Sequence, residues 1–254
     1  MNVLKSKESR LFILLGGFFI TNALIAEFVG VKIFSLEASL GLEPWSWNFL
    51  GEKLSFNLTA GVVLWPIVFV MTDVINEYFG KRGVRFLSFL TVGLICFAFL
   101  MVFWSIRLVP ADWWPQSATD HGVVDMQLAF KRIFGQGLWI IIGSLIAFLI
   151  GQVLDVMVFH KLKRITGDSK VWLRATGSTL VSQFIDSFVV LFIAFYIGAD
   201  WKLSTVLAIG LNNYIYKFVV AIALTPAIYG AHFWIDRFLG KEKAEQLKLE
   251  AMKT

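Results

Sequence analysis

Residues 57–85 read NLTAGVVLWPIVFVMTDVINEYFGKRGVR, and this stretch decides the fold. It starts as an apolar run long enough to cross a bilayer, and then takes in Asp73, Asn76 and Glu77 before the basic residues that end it. An ionised side chain at the middle of a bilayer costs roughly 2.5–3.5 kcal/mol on insertion scales. Acidic and amide groups at the end of such a run therefore indicate that these side chains form part of a polar site inside a membrane.

The composition of the whole chain is typical of an integral membrane protein. Of its 254 residues, 57% are hydrophobic and 16% are charged, whereas soluble domains carry about 25% charged residues. The apolar residues form long blocks, and a helix needs about 20 of them to cross a bilayer. Six blocks reach that length, near residues 11–30, 58–79, 84–106, 138–159, 173–197 and 203–229. We therefore expect an all-α membrane protein with six transmembrane helices in one bundle.

Lys and Arg residues predict the orientation of these helices, because they concentrate in cytoplasmic loops. If the N-terminus is inside, the inner segments hold sixteen Lys and Arg residues and the outer segments hold six. Both termini are therefore expected in the cytoplasm. We expect a single transmembrane domain over residues 1–240 and a charged cytoplasmic tail over residues 241–254. The bias of the loops accounts for the net charge of +5, so this charge does not indicate a nucleic-acid partner. The expected partner of the transmembrane helices is the lipid bilayer.

Motifs for cofactors and catalysis are absent from the sequence. It has no glycine-rich phosphate-binding loop, and His121, His160 and His232 do not have metal-ligand spacing. We therefore expect no cofactor, no metal and no catalytic residue. The two long outer connections, residues 31–57 and 107–132, are rich in Trp, which favours membrane interfaces.

Polar residues recur on one face of four of the predicted helices. Asp73, Asn76 and Glu77 are spaced at i, i+3 and i+4, and Phe69 continues the same face. Three further helices repeat the pattern with one pair each, namely Gln152 with Asp155, Gln183 with Asp186, and Asn213 with Lys217. Polar stripes in membranes usually line a substrate or ion path, so these residues are candidates for a binding site.

Depth along the helices predicts one specific contact. Asp186 lies thirteen residues beyond Leu173, and Lys217 lies fourteen beyond Leu203. Because the two helices run in opposite directions at about 1.5 Å per residue, both side chains reach the middle of the membrane. We expect an Asp186–Lys217 pair there, with Asp73, Asn76, Glu77 and Gln152 toward the cytoplasmic side.

Each acidic residue also has a purely structural interpretation. Glu77 could pair with Lys81 at i+4, and Asp155 could lie at the inner membrane interface. Glu27, near the outer end of the first helix, could extend its carboxylate to the lipid headgroups. Asp186 and Lys217 could neutralise each other without any further role.

The same residues carry a resemblance to a known family. The segment TDVINEYFGKRGVR resembles the hallmark of the queuosine precursor transporter family, also called the vitamin uptake transporter family. Four further segments match in the same order: TNALIAEFVGVKI, GSLIAFLIGQVLDVMVFHKLK, RATGSTLVSQFIDSFVVLFIAF and NNYIYKFVVAIALTPAIYG. The Trp-rich outer connections are longer than the family pattern, and Glu27 replaces a small residue.

The resemblance implies import of 7-deazaguanine precursors of queuosine, a modified tRNA nucleoside, across a bacterial inner membrane. A carboxylate can accept both hydrogen bonds from the N1–H and amino group of a guanine-like base, and Asp186 or Asp73 is a candidate. Lys217, Asn213 or Gln183 could donate to the ring oxygen. Aromatic rings could hold the flat base, and the candidates are Phe69, Phe184, Tyr214 and Tyr216. The expected substrate-binding set is Phe69, Asp73, Asn76, Glu77, Gln152, Gln183, Asp186, Asn213, Tyr214 and Lys217.

Three classes of function remain open from the sequence. The first is a transporter that works alone, with a polar site between its helices. The second is a substrate-binding membrane subunit that needs a separate ATP-driven module. The third, and least favoured, is an intramembrane enzyme with Asp73 and Asp186 as a carboxyl pair. The sequence also leaves open a homo-oligomer.

Overall fold

The computed structural model describes residues 6–43, 45–135, 137–166 and 171–252. Lys5, Lys170 and Lys253, which contribute to the predicted charge bias, lie outside the described residues. The protein is mostly helical, and its long helices are α1 (Lys7–Val29), α3 (Trp65–Arg107), α5 (Leu138–Thr166), α6 (Val171–Leu191) and α7 (Leu203–Ala223). Shorter helices are α2 (Leu36–Ser39), α4 (Met126–Phe134), α8 (Thr225–Leu239) and α9 (Lys241–Ala251).

Among the described residues, five helical segments are long and apolar enough to cross a membrane. They are Lys7–Val29, Ala60–Arg107, Met126–Thr166, Trp172–Ile197 and Leu203–Ala223. Large apolar side chains such as Ile13, Phe18 and Phe97 are exposed on these segments, as expected for surfaces that face lipid. The prediction of a helical, multi-pass membrane protein is therefore confirmed.

The segment Ala60–Arg107 spans 48 residues, and its main helix α3 reverses direction at Gly80. Thr72 Oγ1 and Ser88 Oγ lie 2.9 Å and 3.4 Å from the same oxygen, Gln152 Oε1, so these two hydroxyls are within about 6 Å of each other. In a straight helix, sixteen residues would separate them by roughly 24 Å. Gly80 has φ 65° and ψ −171°, a conformation that only glycine adopts readily. Helix α3 thus has two arms, one on each side of Gly80, which overlap the predicted helices 58–79 and 84–106.

Two predicted helix ends are wrong. Leu58 was placed in a helix, but it lies in strand β4 (Asn57–Thr59), and α3 begins only at Trp65 with Pro66 in its first turn. The last predicted helix was extended to residue 229, but α7 ends at Ala223 and α8 begins at Thr225. In both places a proline occupies the first turn, where its missing N–H costs nothing, so a new helix begins there.

The connection between α1 and α3 forms two small antiparallel sheets. Strand β1 (Ile33–Ser35) pairs with β4, and β2 (Trp47–Phe49) pairs with β3 (Glu52–Leu54). This connection packs on α7, because Thr205 Oγ1 donates to Glu52 Oε1 at 2.7 Å and Asn212 Nδ2 donates to Ser55 O at 3.0 Å. We call this end of the bundle the loop end.

The opposite end, which we call the tail end, holds both terminal helices. Lys243 Nζ of α9 lies 3.1 Å from Glu8 Oε1 of α1, and Lys7 Nζ donates to Phe238 O of α8 at 2.9 Å. Ala244 of α9 is buried. The C-terminal helix is therefore packed against the bundle, and α1 begins on the same side.

Candidate functional site

A cavity of about 470 Å³ opens at the loop end and extends to the centre of the bundle. Ile33 and Thr59 of the connection line its upper part, and Asp186 and Lys217 line its lower part. We call it the loop-side cavity. Its volume falls within the range of roughly 300–1,000 Å³ that is usual for small-molecule sites.

The predicted contact between Asp186 and Lys217 is present in this cavity. Lys217 Nζ lies 2.6 Å from Asp186 Oδ2, which joins α6 to α7, and both side chains are buried. Asn213, one turn before Lys217, lines the same cavity. Three of the predicted residues are thus brought together, and they offer a carboxylate, an ammonium group and an amide.

Glu27 belongs to the same cavity, which the sequence analysis missed. Its side chain is buried, it lines the cavity, and one of its carboxylate oxygens accepts a hydrogen bond from Ser144 Oγ of α5. The interpretation that Glu27 extends to the headgroups is therefore wrong. Ala23, which shares a helix face with Glu27 at i−4, is also completely buried, so this face of α1 points into the bundle.

Aromatic residues are placed differently from the prediction. Phe69 is fully buried behind the cavity, where a Cβ atom on Gly151 would lie 3.0 Å from its ring and 3.8 Å from Asp186 Cβ. The Tyr214 ring packs edge-on against Phe184 with centroids 5.1 Å apart, and neither ring lines the loop-side cavity. Trp65, which the sequence analysis did not select, does line it.

Below the cavity, a layer of buried polar side chains fills the centre of the bundle. Asp73 accepts hydrogen bonds from Ser178 Oγ at 3.0 Å and Thr179 Oγ1 at 2.8 Å. Asp155 accepts one from Ser182 Oγ at 3.0 Å and is completely buried, so it does not lie at the membrane interface. Ser178 and Ser182 lie one turn apart on α6, so their hydrogen bonds place the two carboxyl groups next to each other. Asp73 is therefore paired with Asp155 and not with Asp186.

Three further predicted residues belong to this central layer. Gln152 accepts from Thr72 through Oε1, and Asn76 Oδ1 accepts from His160 Nε2 at 3.0 Å. Gln183 is fully buried, and neither of its amide atoms has a hydrogen-bond partner among the described residues. The layer closes the lower side of the loop-side cavity.

Glu77 lies at the tail end and pairs with two cations from other helices. Arg174 lies 2.8 Å and Lys163 lies 3.1 Å from Glu77 Oε1, and all three side chains are buried. The alternative pair with Lys81 is not formed. Glu77 therefore joins α3 to α5 and α6, since Lys163 and Arg174 lie on those two helices.

A second cavity, of about 370 Å³, lies at the tail end between α8 and α9. We call it the tail-side cavity, and Glu77, Arg174, His232 and Lys248 are among its lining residues. Tyr78 donates its hydroxyl proton to Asp236 Oδ1 at 2.7 Å, so its oxygen accepts from His232 Nδ1, which is 3.0 Å away. Burial lowers the pKa of His232 to about 4, so the ring is neutral at physiological pH.

The chain matches a family model over most of its length. The model described as "Putative vitamin uptake transporter" matches residues 59–231, which include both arms of α3 and every residue of the central layer. No solved structure matches the chain.

Curated relatives carry consistent names. A protein of Bacillus subtilis (strain 168), named "Probable queuosine precursor transporter", is 35% identical over 71% of this chain and 74% of its own length. The "Queuosine precursor transporter" of Escherichia coli (strain K12) is 27% identical over 78% of this chain and 82% of its own. With the family match over well more than half of its length, the chain belongs to the vitamin uptake transporter family, a family of membrane transporters and not of enzymes.

Proposed function

We propose that this protein is a transporter of queuosine precursors, and that the loop-side cavity is its substrate site. The proposal takes the class of cargo from the names of its relatives. The observation that carries the site is the cavity that leads from the loop end to the buried Asp186–Lys217 pair. A charged pair at the floor of an accessible cavity can exchange its mutual contact for contacts with a polar cargo.

The groups in this cavity suit a 7-deazaguanine base. Asp186 can accept hydrogen bonds from the N1–H and the exocyclic amino group of the base. Lys217 or Asn213 can donate to the ring oxygen, and Trp65 offers an aromatic face for the flat ring. The preferred cargoes are 7-cyano-7-deazaguanine and its aminomethyl form. Asp73, Asn76, Glu77, Gln152 and Gln183 then form the inner half of the path, which is closed in this conformation, and Phe69 separates the two halves.

A six-span topology fits this role, with α1, the two arms of α3, α5, α6 and α7 each crossing the bilayer. The reversal at Gly80 supports counting α3 twice. The Lys243–Glu8 pair supports placing both termini on one side, and the bias of Lys and Arg assigns that side to the cytoplasm. The protein is then a single inner-membrane domain over residues 1–240 with a short helical tail, and the loop-side cavity faces outward.

Uptake by liposomes that contain only this protein tests the proposal. We expect saturable uptake of labelled 7-cyano-7-deazaguanine, weakly inhibited by an excess of unlabelled guanine. Asp186→Asn should reduce uptake at least tenfold while the protein remains in the membrane. Binding without uptake would point instead to a subunit that needs an energising partner. If the protein neither binds nor takes up the compound, this cargo is refuted.

A further inference from the structure

Asp73 and Asp155 form a pair of carboxyl groups that lies outside the loop-side cavity. Asp73 lies on α3 and Asp155 on α5, and both face the same side of α6, where Ser178, Thr179 and Ser182 donate to them. Both side chains are almost completely buried. Asp155 Oδ2 has no hydrogen-bond partner among the described residues. The pair thus has one acceptor oxygen left over in a dry environment.

Among the described residues, no cation forms an ion pair with Asp73 or Asp155. Within the described part of the chain, the buried ion pairs reach Glu77 and Asp186 but neither Asp73 nor Asp155. The other charged and titratable groups on the surrounding helices have partners of their own: Glu77 with Lys163 and Arg174, Asp186 with Lys217, His160 with Asn76, Glu27 with Ser144, and His232 with Tyr78. Two adjacent carboxylates in a low-dielectric site cannot both be ionised, so such a pair shares a proton.

The pair also lies between the two cavities. One face of α6 carries Arg174, Ser178, Ser182 and Asp186 at intervals of four residues, which places them along roughly 18 Å of the helix. Arg174 lines the tail-side cavity and Asp186 lines the loop-side cavity. Ser178 and Ser182, which hold the two carboxyl groups, occupy the middle of this line. A proton on the pair can therefore be exchanged with the loop side when the bundle is open at the loop end, and with the tail side when the bundle is open at the tail end.

We infer that Asp73 and Asp155 together are a proton-binding site, and that this transporter moves a proton with its cargo. The inference rests on the proposed function and adds the coupling ion to it. One proton from the water on the outer side converts the singly protonated carboxyl–carboxylate pair into two neutral carboxyl groups. The same proton leaves to the inner side after the cargo has moved and restores the carboxyl–carboxylate pair, so charge and atoms balance over one cycle.

The closeness of the two carboxyl groups favours a proton over a metal cation. Hydroxyl groups one turn apart on α6 hold both carboxyl groups on the same face of that helix, and a proton between them needs no extra space. A calcium or magnesium ion would have to enter between the oxygens and be surrounded by about six ligands at 2.0–2.6 Å. Among the described residues, no group of three or more His, Cys, Asp or Glu side chains could hold a metal ion.

The test uses the full chain in liposomes that contain a pH-sensitive dye. Labelled 7-cyano-7-deazaguanine is supplied under an inward proton gradient, or under an inward sodium gradient without a pH difference, and protein-free liposomes give the blank. We expect accumulation at least tenfold above equilibrium with the proton gradient only, together with acidification of the interior when cargo is added. Accumulation driven by sodium alone would overturn the proton site.

Two variants test the pair. Asp155→Asn should lose gradient-driven accumulation at least tenfold, while exchange of labelled for unlabelled cargo at equal pH stays within about threefold of the wild type. Asp73→Asn should lose gradient-driven accumulation to the same extent, because the site needs both carboxyl groups. Asp112→Asn, at an exposed position in an outer connection, should behave as the wild type. Both pair variants accumulating normally would overturn the inference.

The wild-type protein alone can also decide the question if the variants do not fold. Exchange without any proton movement would overturn the proton site and leave the proposed cargo intact. No exchange at all would refute the proposed cargo, and the proton site with it.

Discussion

Lys217 Nζ lies 2.6 Å from Asp186 Oδ2 at the floor of the loop-side cavity. An ion pair of this kind adds little stability compared with apolar residues of the same size, but the loss of one partner is costly, roughly 3–5 kcal/mol, because the other charge stays buried. Such a pair is therefore stable as a unit and sensitive to any ligand that competes for either charge. That property suits a site where cargo replaces one of the partners.

Exchange of the two charges should separate their structural role from their role in binding. Asp186→Asn alone should lower the unfolding temperature in detergent, because the Lys217 charge stays buried. The double variant Asp186→Lys with Lys217→Asp restores an ion pair, so we expect the unfolding temperature to recover. Uptake should remain at least tenfold below the wild type, since the carboxylate now projects from α7 and no longer matches the cargo.

The control is the amount of folded protein that detergent extracts from the membrane, measured by size-exclusion chromatography. If the exchanged pair transports at the wild-type rate, the pair has a structural role only, and the substrate site must use other groups in the cavity.

Glu27 should select between the two forms of the cargo. Glu27→Gln keeps the shape of the side chain and its contact with Ser144, but it removes a group that can ionise beside a cationic cargo. At an effective dielectric constant near 20, the interaction energy between a negative charge and a cationic ligand 4 Å away is about 4 kcal/mol. We expect the apparent affinity for the cationic aminomethyl form to fall at least tenfold, and that for the neutral cyano form to change less than twofold.

Competition of each form against labelled 7-cyano-7-deazaguanine measures both affinities. Glu43→Gln, at an exposed position of the loop end, serves as the matched control and should change neither. Equal losses for the two forms would show that Glu27 shapes the cavity without selecting by charge.

Glu77 should be important for stability, and Lys81 should not. Glu77→Gln removes the carboxylate that Lys163 and Arg174 share in the interior, so we expect a loss of about 3–5 kcal/mol. Lys81→Gln should change the unfolding temperature by little, because Glu77 pairs across helices and not within its own. Thermal unfolding of both variants in the same detergent compares them directly, and a larger effect of Lys81→Gln would restore the i+4 interpretation.

Helices and depth could be predicted from the sequence, whereas contacts between helices mostly could not. The apolar runs identified α1, α5 and α6 because burial in lipid requires length and apolar composition. Counting residues inward placed Asp186 and Lys217 at one level, and their opposite charges made the contact predictable. Asp73 and Asp155 had no such complement, because periodicity gives the face of a helix and not the helix that it meets.

Helix ends and small residues account for the remaining differences. Pro66 was predicted to lie within a helix, yet a proline in the first turn marks a start, and the sequence alone does not say which role applies. For Glu27 the sequence allowed an extension to the lipid headgroups, because the residue lies near a helix end. The reversal of α3 depends on the backbone of one glycine, and apolar runs carry no information about backbone angles.

Gly80 should therefore be the position where an added methyl group does most harm to the α3 reversal. Its φ of 65° with ψ of −171° is strained for any residue with a Cβ atom, and such strain costs of the order of 1–3 kcal/mol. The reversal also brings Thr72 and Ser88 to Gln152, so any relaxation of the turn would pull these contacts apart. We expect Gly80→Ala to lower the unfolding temperature by several degrees and to reduce uptake.

Gly93→Ala is the matched control, because Gly93 lies in the same helix, has helical backbone angles and has no atom within 4 Å of an added Cβ. That change should be neutral or slightly stabilising, since alanine favours helix by up to about 1 kcal/mol over glycine. Equal behaviour of the two variants would mean that α3 can reverse without a glycine at its turn.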